Sequence, residues 1–199
     1  MMKFLGKAAL ALAVVCAPLM AQTQVSSLTP SIEYGRTTLQ FDPNFLAMLP
    51  SLGATIADLN NNPLQNGSIT FRATGGSIDV TTAEGEVQHT GGFLINAAGT
   101  VLRIQNLTLD TSNLAALVVT AEIIANDHYA GRIALFNLAP PPGLTVPLQP
   151  QSGVVDVKGF TISLTQAASS AIFGIFGQTI PAGTLMGTQE TYVVLARTN

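Results

Sequence analysis

Hydrophobic and polar residues alternate with a period of two through much of the chain. In Ser68-Ile69-Thr70-Phe71-Arg72, Ile69 and Phe71 fall on one face and the polar residues on the other, the pattern of a half-buried strand. The same reasoning predicts strands over residues 77–81, 86–95, 100–104, 107–110, 117–124, 132–138, 154–164 and 191–196. Glycine, asparagine and proline separate these runs, so the expected fold is mainly β, an antiparallel β-sandwich. Face parity slips in one place: Leu102 and Ile104 are even-numbered, whereas Leu107 and Leu109 are odd. A bulge or break near Gln105-Asn106 is therefore predicted.

Two segments depart from this period and read as short helices. Residues 38–41 form a short strand, Asp42 is placed as N-cap and Pro43 as first helical residue. Phe45, Leu46 and Leu49 then supply an apolar stripe, and Gly53 a stop. Residues 161–164 repeat the plan, with Thr165 as cap, 167–176 as helix and Gly177 as stop. Thr55-Ile56 and Thr179-Ile180 correspond downstream, so two strand-helix-strand units bracket the β-rich middle. The pairs Gly75-Gly76 and Gly91-Gly92 each follow a threonine and suit a turn or bulge with positive φ. The proline-bearing stretch 139–150 reads as a connecting loop, because proline cannot donate to a ladder.

The first residues carry a different signal. Lys3 and Lys7 flank a short basic start, residues 8–16 form an unbroken apolar run, and Pro18 precedes a small residue at Ala21. This is a cleavable secretory leader over residues 1–21, too short to span a bilayer, which needs roughly 20 apolar residues. Cys16 is the only cysteine. Val15 stands before it, where a lipid-modification signal takes a small residue, so simple cleavage is expected. The organisation that follows is a leader over 1–21, a lead-in over 22–35 and one β-rich domain over 36–199. Its location is secreted, periplasmic or at the cell surface.

Without Lys3 and Lys7, six basic residues stand against eleven acidic ones. The basic residues are scattered singly, whereas a nucleic-acid surface needs them clustered. Nucleic acid is therefore excluded as a partner, and no segment of the mature chain is long enough to cross a membrane. Enzyme motifs are also missing: there is no Gly-x-Ser-x-Gly, no His-Glu-x-x-His and no Cys-His metal framework. Glu84 and Glu86 read as a solvated hairpin end and His128 as part of a polar turn. Neither a catalytic residue nor a metal ligand is assigned.

His89 stands apart. In Glu86-Val87-Gln88-His89-Thr90-Gly91-Gly92-Phe93-Leu94-Ile95 it shares parity with Val87, Phe93 and Ile95, which places an imidazole on the apolar face. Two roles are open: a core histidine bonded to a nearby carbonyl, or a metal or haem ligand, for which neutral imidazole is suited.

The run 67–76, the string 85–94 and the stretch 101–110 resemble the HtaA-type, haem-transport-associated domain of secreted bacterial proteins. The string fits its "G-x-V-x-H-x-G-G-L" pattern, with Phe93 in place of the usual leucine. Arg132-Ile133-Ala134-Leu135-Phe136 and residues 161–168 are also similar, so the likeness covers most of residues 36–195. The chain has no tryptophan, whereas that group's domain opens on a tryptophan-bearing segment. The resemblance implies export, a binding role with an undetermined small-molecule or surface partner, and haem or another tetrapyrrole as one ligand. His89 matches the histidine that acts on haem in those members, and Tyr34 lies where their tyrosine is found. A hydrolase with an unread site is the alternative from another class.

Overall fold

The computed structural model describes residues 29–197; the leader read over 1–21 lies outside them. Among the described residues there are ten strands, two α-helices and one 3-10 turn. In chain order they are β1 (Ile32–Phe41), α1 (Pro43–Met48), the 3-10 turn (Leu49–Leu52), β2 (Ala54–Asp58), β3 (Ser68–Ile78), β4 (Gly85–Thr90) and β5 (Gly92–Ala97). They continue with β6 (Thr100–Asp110), β7 (Val118–Ala125), β8 (His128–Ala139), β9 (Val154–Leu164), α2 (Gln166–Phe176) and β10 (Leu185–Leu195). β1 starts within the segment assigned to the lead-in.

The strands close into a barrel rather than the expected sandwich. Every contact in the ring is antiparallel: β1 lies between β10 and β3, and β4, β6, β7, β8 and β9 complete the circuit. Pairing of β6 with β7, from Leu102↔Ala125 to Asp110↔Val118, joins what would be the open edges of two sheets. Alternation of inward and outward residues is the same in a sandwich and a barrel, so periodicity does not separate them. Eight strands leave an interior that side chains fill, and the buried set from Leu39 and Phe41 to Ile162 and Val193 fills it here.

Two irregular sites, at Gly91 and Asn106, shape the wall. Gly91 has φ +94° and divides the predicted 86–95 strand into β4 and β5. β4 pairs with β3, while β5, paired with β6 from Gly92↔Gln105 to Ala97↔Thr100, takes β2 as its other neighbour, which extends the sheet at this end of the barrel. On the facing strand the predicted bulge is present: register shifts between Gln105 and Thr108, and Asn106 has φ +52°. The Asn106 N–H donates to the Gly91 carbonyl at 2.9 Å, locking the two irregularities together.

Both helices begin as their caps dictate. The Asp42 carboxylate accepts from the Asn44 and Phe45 N–H groups at 2.8 and 3.2 Å, and Thr165 Oγ1 accepts from Ala168 N–H at 3.0 Å. Gly53 and Gly177 end the helical segments in the left-handed conformation. The strand-helix-strand plan holds for β1-α1-β2. In the second unit the strand after α2 starts at Leu185, beyond Thr179-Ile180.

Candidate functional site

The barrel interior has two parts of different chemistry. In one, inward residues of β1, β4 and β10 are polar. His89 is only 5% exposed, and both its ring nitrogens are engaged. A carbonyl can only accept, so Nδ1 carries the proton and donates to the Leu107 oxygen at 3.1 Å. Nε2 then accepts from the Thr37 hydroxyl at 2.7 Å. Thr37 in turn accepts from the Thr191 hydroxyl at 3.1 Å, and Gln189 Nε2 donates to Thr191 Oγ1 at 3.1 Å.

This chain of bonds ties β10, β1, β4 and β6 across the interior. Each member is buried, and among the described residues no buried side-chain polar atom lacks a partner. Burial pushes the His89 pKa down to about 4, against a smaller upward effect of the bond to Leu107. Burial thus favours the neutral imidazole at His89, which its two ring bonds hold in the interior. Parity placed it inward correctly; its partner Thr37 lies 52 residues away and carries no local signal.

Tyr34 occupies the other side of the wall. From Tyr34 onward the β1–β10 register is continuous, so Tyr34 shares the outer face with Arg36, Thr38 and Gln40, while Thr37, Leu39 and Phe41 point inward. Tyr34 is 53% exposed. The fold thus does not bring Tyr34 and His89 together, because residues three apart on an extended strand, 34 and 37, face opposite ways and His89 bonds to the inner one.

The second part of the interior is apolar but for one side chain. α1 and α2 plug the barrel end that β2 and β5 widen, and between helices and wall lies a cavity of about 40 Å³. Its walls include Phe41, Phe45, Phe93, Ile123, Ile172 and Phe176, and Gln178 is its one polar side chain. Space of that size admits water, but Gln178 alone supplies fewer than the two to four polar partners a buried water needs. Phe41 meets Phe45 and Phe93 at ring-centroid distances of 5.9 and 5.7 Å, and Phe93 meets Phe71 at 6.5 Å. Phe136 lines both this cavity and the small space beside His89. His89 does not line the apolar cavity.

The sequence pattern contained a sign of this cavity that motif reading passed over. No Asp, Glu, Lys or Arg occurs between Asp42 and Asp58, nor between Lys158 and Glu190. Those two uncharged stretches contain α1 and α2. The first half of α2 is held by buried Ala168, Ser169 and Ile172, with Ser169 Oγ donating to the Ile180 carbonyl at 2.7 Å. Its second half is held less: Phe173 is 58% exposed, and Ile175 and Phe176 are half-buried.

On the outer face, Glu122 and Arg132 serve the bulge. Asn106 Nδ2 donates to Glu122 Oε2 at 2.7 Å, and Arg132 Nη2 donates to the Asn106 carbonyl at 2.8 Å. The hydrogen bond from Asn106 holds the Glu122 carboxyl below its ordinary pKa. Glu84 and Glu86 are exposed at the β3–β4 hairpin. His128 follows the two-residue turn Asn126-Asp127, both with positive φ, the geometry of a type I′ hairpin.

No family profile and no curated protein matches the chain's sequence. Solved structures do match its fold. The C-terminal domain of HtaA from Corynebacterium glutamicum superimposes with a TM-score of 0.63 at 14% identity, over 84% of this chain and 99% of that one. HtaB of the same organism, described as a haem-binding protein, gives 0.55 at 12% identity, over 85% and 96%. A histidine-to-alanine variant of the HtaA C-terminal domain, which forms a domain-swapped dimer, gives 0.53 at 17%, over 77% and 91%. The chain has the HtaA-type fold that the "G-x-V-x-H-x-G-G" string suggested.

Proposed function

We propose that the chain is an extracytoplasmic binding module that holds a small apolar or amphipathic molecule beneath α1 and α2. The observation that carries this reading is the cavity at the plugged barrel end, with hydrocarbon walls and one polar side chain. Ligand sites are concave and mostly apolar, and this one sits under a helix whose second half is loosely held. HtaB, which shares the fold, supports a binding role; a shared fold by itself does not carry function.

The test is a panel of haemin, protoporphyrin IX and a long-chain fatty acid against purified protein. At least one should bind one-to-one and raise the melting temperature as ligand concentration rises above Kd. Protein that binds none of them would overturn the reading. Export is tested separately: protein secreted by a bacterium should start at Gln22 or a close neighbour by mass spectrometry. An intact Met1, or lipid on Cys16, would contradict it.

Haem is the second reading, favoured by the fold shared with HtaB and by the match of His89 to the family string. Here Tyr34 and His89 act on haem through separate approaches, Tyr34 from the outer face and His89 only after parting from Thr37. A sharp Soret band on haemin addition, reshaped by Tyr34→Phe or His89→Ala, would support it. A flat haemin titration of folded protein removes it.

A further inference from the structure

We infer that the ligand of the α1/α2 cavity is a single long hydrocarbon chain, held without metal ligation and with its polar end left in water. This rests on the reading that the cavity is the binding site, and it narrows the chemistry that site accepts.

The wall decides the class. Apart from Met186, whose thioether is a weak donor, no residue lining the cavity offers an atom that ligates iron. His89 is separated from it, with both nitrogens already bonded. A group that needs hydrogen bonds would lose its hydration on entry with only Gln178 to replace it, and each bond left unmade costs several kcal/mol. A methylene chain loses nothing, and each buried CH₂ contributes about 0.8 kcal/mol.

The rim decides where the polar end goes. The two uncharged stretches, 43–57 and 159–189, supply both helices and the segment between α2 and β10. A carboxylate emerging there meets no cation from either helix, so affinity comes from the chain and not from the headgroup.

The fold supplies a way in. The open space, about 40 Å³, is well below a typical ligand site of roughly 300 Å³ or more, so α2 has to move outward. Its N-terminal half is fixed by the Thr165 hydroxyl, which donates to the Ala134 carbonyl at 2.6 Å, and by Ser169. Its C-terminal half ends at Gly177 in the left-handed conformation and presents Phe173 to solvent. Outward rotation about the fixed half enlarges the cavity between Phe176 and the wall.

Titration with a fluorescent polyene fatty acid tests this on the mature full chain. Fluorescence should rise to a one-to-one plateau, and dodecanol and dodecanoate should displace the probe with affinities within about threefold of each other, since no cation favours the acid. Ala171→Phe, which puts a ring into the cavity from the half-buried side of α2, should weaken the probe at least tenfold. Ile56→Phe does the same from β2 if the first variant fails to fold, while Leu114→Ala, on the exposed loop between β6 and β7, should leave binding unchanged. Probe binding that both cavity-filling variants leave intact, or dodecanoate favoured over dodecanol by more than tenfold, would overturn the inference. Haemin or protoporphyrin binding without probe binding would overturn it while leaving the binding module standing. Absence of binding by every ligand would remove both.

Discussion

His89 shows how one buried group sets a pH dependence. Its folded pKa of about 4 lies below the value near 6.5 of an unfolded chain, so between these values the unfolded state binds the extra proton. Stability is then complete above about pH 6.5 and falls as pH drops towards 4, by about 3 kcal/mol at most. Denaturant unfolding of wild type and His89→Gln should reveal it: the slope between pH 6.5 and 4.5 flattens in the variant. Equal slopes would mean that His89 is not held neutral. His89→Ala should also cost roughly 1 to 3 kcal/mol at pH 7, because Thr37 and the Leu107 carbonyl lose a buried partner. Parity made the inward direction of His89 legible. Thr37, Thr191 and Gln189 were not, since they reach His89 only through strands distant in sequence.

Among the elements, caps and irregularities were the most legible because each rests on local chemistry. Asp42-Pro43, Thr165 and the parity slip at Gln105-Asn106 all appear as read. Residues 32–37 were missed because Glu33-Tyr34-Gly35-Arg36 shows no alternation; these positions are strand because β10 and β3 flank them. The run 68–72 and the start of 77–81 are one strand, β3, since the register shift between Ala73 and Gly75 carries it across the glycines; residues 79–81 fall in the turn that follows it. The hinge of the wall at β5 makes a sharp prediction. A Cβ at Gly92 would strike the Ile104 carbonyl on β6, so Gly92→Ala should destabilise the fold by about 1 to 3 kcal/mol. Gly99→Ala, where a Cβ meets nothing but the backbone has φ +78°, separates the effects: conformational strain alone should cost about 1 kcal/mol. A Gly92→Ala melting temperature equal to wild type would contradict the close approach of β5 and β6.

At the scale of the whole molecule, the mainly β class and the helix positions were legible, but strand limits and closure were not: β6 joins the runs 100–104 and 107–110, and 86–95 is two strands. The pairings of β6 with β7 and of β1 with β10 turn a presumed sandwich into a barrel, and those of β2 with β5 widen one end. The cavity is a product of that arrangement: its wall draws on both helices and most of the strands, so no single segment announces it. The central claim is that ligand enters beneath α1 and α2, and isoleucine δ1-methyl NMR during titration with dodecanoate and with haemin tests it most directly. Ile56, Ile95, Ile104, Ile123, Ile133 and Ile172 line the cavity, whereas Ile69, Ile78 and Ile162 do not. Large shifts confined to the first group are the predicted result; shifts centred on Ile69 and Ile78 with the cavity methyls unmoved would contradict the account.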